Sequence, residues 1–168
     1  MPTTPERGSL YEHAGGREGL HRLEQTFYDS VLRDPLLKPL FGDGRATHVE
    51  HLTMFTAESF GGPDRFSREL GFQHLIDVHR GLGISEAQRR RFVDLYVAAL
   101  DAAGMPDDEP FRTAVREHLE FGTRVAMQNS NARTDGELHP LREVPQWTWP
   151  EGRDPTPPVS APRGTPGG

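Results

Sequence analysis

Residues 74–85 read HLIDVHRGLGIS. Three apolar side chains precede His79, and their spacing predicts a short helix over residues 74–80. Gly81 and Gly83 follow at once, and glycine favours the left-handed backbone with which many helices end. A lone histidine in such a place is usually a packed core or surface residue, and only its neighbours along the chain change that expectation.

The same helical pattern continues on both sides of this stretch. Leu20, Leu23 and Phe27 recur at three- or four-residue spacing, which places them on one helix face. Ser85 and Gln88 form a capping box, which predicts the start of a long helix. No alternating β pattern persists, so the chain is predicted to be all-α. The predicted helices cover residues 10–14, 17–32, 46–60, 74–80, 86–103 and about 108–128, a tight turn covers 36–38, and 64–73 is ambiguous.

Composition excludes several classes of function. The chain has 168 residues and a net charge of -6, whereas nucleic acids and anionic membranes attract basic surfaces. It contains no cysteine, which excludes disulfides, thiolate metal sites and cysteine nucleophiles. No apolar run reaches the roughly 18 residues of a membrane-spanning helix, and the N-terminus does not read as a signal peptide. We therefore expect a cytoplasmic protein with no nucleic-acid or membrane partner.

The composition also divides the chain into three parts. Residues 1–8 are predicted to be a disordered lead, 9–130 a folded domain, and 131–168 a Pro/Gly-rich extension that is disordered or loosely docked. Trp147 and Trp149 interrupt this extension. They either attach the extension to the surface of the domain or form a docking peptide for a partner.

Other histidines offer alternative metal sites. His48 and His51 lie three residues apart on one predicted helix and could bind a metal directly, or they could line a solvated helix edge. Di-iron helical bundles need repeated Glu-x-x-His units, and the chain has one such unit, Glu18 to His21. Neither pattern is as specific as the set of motifs that surrounds His79.

Five local patterns occur in order along the folded part of the chain. They are Leu10-Tyr11 with Gly15-Gly16, Phe27-Tyr28, Phe41 thirteen residues after Tyr28, Phe60-Gly61-Gly62-Pro63, and Leu75-Ile76-Asp77-Val78-His79 followed by Ile84-Ser85. In this order and spacing, residues 10–128 resemble the group II truncated haemoglobins. The resemblance implies a two-over-two helical sandwich around haem.

The resemblance also implies the cofactor and its contacts. His79 would be the fifth ligand of the haem iron, which leaves the opposite face open for a gas. The haem would be of the b type and held non-covalently, because the chain has no cysteine for thioether attachment. The implied haem-binding residues are Tyr28, Phe41, His48, His51, Leu52, Leu75, His79, Leu82, Ile84 and Phe92.

The distal side of such a pocket would hold polar and apolar side chains together. Tyr28 is expected to be the main hydrogen-bond donor to bound dioxygen, and His48 a second donor or a gate. Phe92 stands where the family usually has Trp, which removes an indole N–H donor. Phe60 likewise replaces the Trp of the glycine signature. His51 is expected near the haem propionates, with His74 and Arg80 as alternatives.

Three functions are compatible with this pattern. The first is reversible binding of dioxygen, and of nitric oxide or carbon monoxide, at ferrous haem. The second is a haem enzyme that oxidises nitric oxide or reduces peroxide, which would need an external reductant because the chain has no flavin or nicotinamide module. The third is an interaction or signalling module that acts through the C-terminal extension. The assembly is either a monomer or a homodimer.

Overall fold

The predicted helices are found in the computed structural model, which describes residues 8–150. The lead before residue 8 and the end of the extension beyond residue 150 lie outside the described residues. The helices are α1 (Leu10–His13), α2 (Gly16–Leu32), α3 (Lys38–Phe41), α4 (Ala46–Ser59), α5 (Arg65–Glu69), α6 (Phe72–His79), α7 (Glu86–Ala102) and α8 (Glu109–Ser130), followed by a 3-10 turn at Asp135–Glu137.

The four long helices form two layers. Helix α2 packs against α4 and crosses α7, which in turn packs against α8. The short helix α6 lies against α8, and α5 lies against α4. This confirms the two-over-two sandwich. Within residues 8–150, none of the helices is long and apolar enough to cross a membrane.

Side-chain caps fix where the later helices begin. The Ser85 hydroxyl accepts a hydrogen bond from the backbone N–H of Gln88 at 3.1 Å, and the Gln88 side chain accepts from the Ser85 N–H at 2.9 Å. The predicted capping box is therefore confirmed. At the start of α8, Asp108 accepts from the backbone N–H of Phe111 at 3.2 Å. Asp108 is therefore the side chain that caps α8.

The Gly-Gly-Pro motif after α4 is required by close packing. Gly61 has a φ of +93°, in the left-handed region that favours glycine. A Cβ on Gly62 would lie 2.6 Å from the ring of Tyr11 and 2.9 Å from the carbonyl oxygen of Ala57. The motif thereby allows α1 to cross close to the end of α4, and the backbone N–H of Tyr11 donates to the Phe60 carbonyl at 2.9 Å.

Two segments contain more helix than the sequence predicted. The tight turn expected at 36–38 leads directly into α3, which accommodates Pro39 because proline fits the first turn of a helix. The ambiguous segment 64–73 contains α5, whose Phe66 is buried. Phe66 packs edge-to-face on Phe55, which gives this polar, Gly-punctuated segment a fixed position against α4.

Buried side chains also occur beyond residue 130, in the segment that composition predicted to be disordered or loosely docked. Leu141, Val144 and Trp147 are buried and belong to the two hydrophobic clusters of the domain. The backbone N–H of Trp147 donates to the Ser59 carbonyl at 2.7 Å. Trp149 is half-buried and its indole N–H donates to the Gly8 carbonyl at 2.8 Å. Trp147 thus enters the core, which is deeper than the expected surface attachment.

We expect Trp147→Ala to destabilise the protein far more than Trp149→Ala. Removing a buried aromatic side chain costs about 3–5 kcal/mol, because it leaves a cavity. Trp149 is partly exposed, so its loss should cost less. Urea unfolding of both variants measures the difference. Equal losses would contradict the assignment of Trp147 to the core.

The same comparison can be made with truncated chains. A chain that ends at Ser130 loses Leu141, Val144 and Trp147 together and should melt at a clearly lower temperature than one that ends at Pro150. A chain that ends at Ser130 and keeps the full melting temperature would support the boundary predicted from composition.

Candidate functional site

A cavity of about 290 Å³ lies between α4, α6, α7 and α8. Most of its wall is apolar, and several histidines interrupt it. Nine of the ten residues that the sequence predicted for the haem site line this one cavity: Phe41, His48, His51, Leu52, Leu75, His79, Leu82, Ile84 and Phe92. Tyr28 is the exception, since it lies behind this wall and contacts it through His48.

His79 occupies the last position of α6, where the helix can supply an acceptor to its side chain. The Nδ1 atom of His79 lies 2.9 Å from the carbonyl oxygen of Leu75, one helical turn earlier. A carbonyl oxygen only accepts, so Nδ1 donates and the neutral ring keeps its lone pair on Nε2. Burial lowers the pKa of His79 and so favours this neutral form. The sequence did not identify the acceptor; the structure assigns it to Leu75.

The segment after His79 is attached to the end of α8. The backbone N–H groups of Gly81 and Gly83 donate to the Ser130 carbonyl at 3.2 and 3.1 Å. The Ser130 hydroxyl accepts from the backbone N–H of Ile84 at 2.9 Å. Both glycines have positive φ angles, of 91° and 64°. This turn therefore holds His79 and Ile84 in a fixed relation on the cavity wall.

Tyr28 and His48 form a hydrogen-bonded pair on the other side of the cavity. The Tyr28 hydroxyl lies 2.5 Å from Nδ1 of His48. Burial and the charge of Arg45 lower the pKa of His48, which favours the neutral imidazole. Burial raises the pKa of Tyr28, which keeps its proton. Both groups are therefore neutral and share one hydrogen bond; with the phenol as its donor, Nδ1 accepts and the imidazole proton lies on Nε2. The ring of Phe41 packs edge-to-face on both side chains.

His51 and His74 lie together at another part of the cavity wall. Their rings are perpendicular, with centroids 5.5 Å apart. Burial, together with the neighbouring His74, lowers the pKa of His51. The sequence proposed His51, His74 and Arg80 as basic contacts of the haem propionates. Arg80 instead pairs with the exposed Asp135 at 2.7 Å. Two of the three predicted basic contacts are therefore next to the cavity.

The inner wall contains a buried polar cluster that sequence reasoning missed. Glu24 is fully buried, and its Oε2 atom accepts hydrogen bonds from Tyr96 at 2.6 Å and from Thr56 at 2.8 Å. Burial raises the pKa of Glu24 to about 7, although both hydrogen bonds oppose the shift. A signal was present in the sequence, because Glu24 lies four residues after Leu20 and three before Phe27, within the apolar face of α2.

His118 is the second polar residue that the sequence did not single out. It lies on the buried face of α8, lines the cavity, and packs against Phe60 with ring centroids 5.0 Å apart. Burial lowers its pKa to about 4, so the ring is neutral near pH 7. Its Nδ1 atom is buried without a hydrogen-bond partner among residues 8–150.

No purely protein-based metal site accompanies these side chains. Within residues 8–150, no group of three or more His, Asp or Glu side chains is arranged to hold a metal ion. His48 and His51 both reach the cavity, but each has a different neighbour, Tyr28 for one and His74 for the other.

Comparisons with known proteins give the same assignment over most of the chain. A family model for bacterial-like globins matches residues 9–129. The group 2 truncated haemoglobin YjbI of Bacillus subtilis is 29% identical over 117 residues, covering 70% of this chain and 87% of that protein. The group 1 truncated haemoglobin GlbN of Synechocystis is 30% identical over 105 residues, covering 60% and 82%.

Structural similarity extends over a similar range. The crystal structure of the group II truncated haemoglobin from Bacillus anthracis has a TM-score of 0.66 and 25% sequence identity to this chain. The similarity covers 80% of this chain and 99% of that one. The match to the family model ends before Leu141, Val144 and Trp147.

We expect His118 to make the fold sensitive to acid. Its folded-state pKa of about 4 lies below the usual 6.5, so between these values the unfolded chain binds a proton that the folded chain does not. The free energy of unfolding therefore falls as pH falls through this window, by up to about 3 kcal/mol. In His118→Leu this contribution disappears, which denaturant unfolding at several pH values measures.

A matched control is His21→Leu on the outer side of α2. His21 is half-buried and lies outside the cavity, so this variant controls for the replacement of a histidine by leucine as such. Glu24 acts with the opposite sign, since its raised pKa favours the folded state at low pH, but its contribution is the same in both variants and cancels in the comparison. Parallel pH profiles for the parent and His118→Leu would contradict the prediction.

Proposed function

The chain belongs to the bacterial-like globin family, and from that premise we propose that it holds one b-type haem non-covalently and binds dioxygen reversibly. Nitric oxide and carbon monoxide are the further ligands of the proposed site. Haem binding itself follows from the family. The haem type, the iron ligand and the gas are the finer assignments, and they depend on the cavity described above.

The observation that carries the proposal is the hydrogen bond from His79 to Leu75. It places the ring proton on Nδ1 and leaves the Nε2 lone pair for iron. It also fixes the orientation of the ring on α6. Carbonyl acceptors of this kind accompany metal-binding histidines generally, because they select the tautomer and the ring orientation together. We therefore assign His79 as the iron ligand.

The remaining wall fits a haem. Apolar side chains from three elements, including Leu52, Leu75 and Phe92, suit the flat faces of a porphyrin. His51 and His74 suit its carboxylate edge, because an imidazole can donate a hydrogen bond to a propionate or pair with it when protonated. Val78 and Leu82 are exposed, and they suit contact with the margin of the macrocycle, which would cover apolar side chains that otherwise face water.

When bound, the haem supplies an iron whose free coordination position can take a diatomic ligand. The protein supplies the hydrogen bonds on that side. We assign the direct donor role to Nε2–H of His48, since this residue lines the cavity, and we assign to its Nδ1 the acceptor role toward the Tyr28 hydroxyl. Tyr28 then orients His48. This assignment reverses the order of importance expected from the sequence, where Tyr28 was the main donor.

Replacement of the two candidate proximal histidines tests the ligand assignment. His79→Ala should lose haem much faster than the parent on transfer to apomyoglobin, because it removes the bond to iron. His74→Ala should retain its haem with a smaller change, since it removes only an edge contact. The measurement is the rate at which the Soret band of the protein decays. Equal loss from both variants would mean that His79 is not the ligand.

The distal assignment is tested by dissociation of dioxygen. A hydrogen bond to a charged group contributes about 1.5–3 kcal/mol, and each roughly 1.4 kcal/mol is tenfold in rate or equilibrium. We expect His48→Leu to speed dioxygen dissociation by about one to two orders of magnitude. Tyr28→Phe, which keeps the ring, should have a smaller effect. Carbon monoxide is less polar when bound and serves as the control.

Stopped-flow measurements on both variants separate the two assignments. A larger effect of Tyr28→Phe than of His48→Leu would restore Tyr28 as the direct donor. Parent rates in both variants would exclude this pair from ligand stabilisation.

A further inference from the structure

The buried cluster of Glu24, Thr56 and Tyr96 places a carboxyl group in the wall of the cavity. Its three members come from α2, α4 and α7, and all three line the cavity. Glu24 is fully buried, with no cation among its hydrogen-bond partners. An isolated buried charge is costly, and its two hydrogen bonds offset only part of that cost. The carboxyl group is therefore a candidate for a functional role.

The two carboxyl oxygens have different surroundings. Tyr96 and Thr56 both donate to Oε2, at 2.6 and 2.8 Å. Oε1 is buried and has no hydrogen-bond partner among the described protein atoms. A proton on the carboxyl group would therefore be on Oε1, because Oε2 is already occupied by two donors. Thr56 and Tyr96 hold the group in place in both its charged and its neutral form.

Opposing effects leave the two protonation states of Glu24 close in free energy. Burial favours the neutral acid, whereas the two hydrogen bonds to Oε2 favour the carboxylate. The result is a pKa of about 7. A carboxyl group whose two protonation states are close in free energy changes its protonation when a nearby charge changes by one unit, because the electrostatic interaction between them is strong where water is excluded.

Few other charges lie around this group. Besides Tyr96, whose pKa is raised by its burial and by Glu24, the titratable residues that line the cavity are the histidines 48, 51, 74, 79 and 118, and Arg89. Arg89 is paired with Glu86 and Glu120. Neither α1 nor α3, which also pack on α2, supplies a group that shifts the pKa of Glu24. Glu24 is thus the carboxyl group in this cavity that can change its protonation when the charge in the cavity changes.

We infer that Glu24 is a proton-binding site inside the haem cavity, which takes up one proton from solvent when the haem iron gains one electron. A one-electron donor would supply the electron to the bound haem, and the Glu24 carboxylate would accept the proton on Oε1 to become a neutral acid. The cavity then keeps the same total charge in both oxidation states. The inference rests on haem binding in this cavity, as proposed above.

The test is the pH dependence of the reduction potential of the haem-loaded protein. When the uptake of one electron is fully coupled to the uptake of one proton, the reduction potential falls by about 59 mV for each unit by which the pH rises. This value corresponds to a tenfold change in the equilibrium constant. We expect part of this slope around pH 7 in the parent and a clearly flatter profile in Glu24→Gln. The control is Glu58→Gln, since Glu58 is also buried but bonds to Ser67 away from the cavity.

Glu58→Gln should keep the parental slope, and any residual slope common to all three proteins belongs to other groups such as the propionates. Equal slopes in the parent and Glu24→Gln would overturn the inference. Haem binding is checked separately by the Soret band, so a protein that binds haem without the expected slope contradicts the inference alone. A protein that binds no haem contradicts the proposed function.

A second variant keeps Glu24 itself in place, in case Glu24→Gln does not fold. Tyr96→Phe removes one donor to Oε2 and so favours the neutral acid. The steep part of the profile should then move to higher pH than in the parent. Infrared difference spectra between the ferric and ferrous forms give an independent readout, in which a protonated carboxyl band should gain intensity on reduction. Absence of that band in a parent protein with the expected slope would assign the proton to another group.

Discussion

The hydrogen bond between Nδ1 of His79 and the carbonyl of Leu75 is the contact on which the site depends. It requires α6 to remain helical through its last residue, because the acceptor lies one turn earlier. It also requires the chain to turn away immediately afterwards, which Gly81 and Gly83 allow through their positive φ angles. Ser130 then holds this turn to the end of α8. The length of α8 and the position of the histidine are therefore linked.

Local patterns were sufficient to predict this part of the molecule. A histidine after an apolar turn, two glycines and the capping box of Ser85 all act over a few residues, so they are visible in the sequence. The same holds for the glycine pair after α4, where a side chain would collide with Tyr11. The acceptor of His79 is local too, but a backbone carbonyl carries no sequence signal of its own.

Features that depend on distant contacts were predicted less well. Glu24 is 32 residues from Thr56 and 72 from Tyr96, so its hydrogen bonds exist only in the folded chain. The spacing of α2 places Glu24 on the buried face, yet a single glutamate is normally expected to reach solvent. Composition likewise gives no signal for the burial of Trp147, because an average over many polar residues hides one buried side chain.

The burial of Trp147 has a consequence for biosynthesis. The residue lies seventeen positions after the end of α8, yet it belongs to the same hydrophobic cluster as α1 and α2. Translation delivers about 5–20 residues per second, so the helices leave the ribosome about one to three seconds before the residue that completes their core. During that interval the nascent chain contains the four long helices but lacks the Trp147 side chain in its hydrophobic cluster. Chaperones that recognise exposed apolar surface would bind the nascent chain in this state.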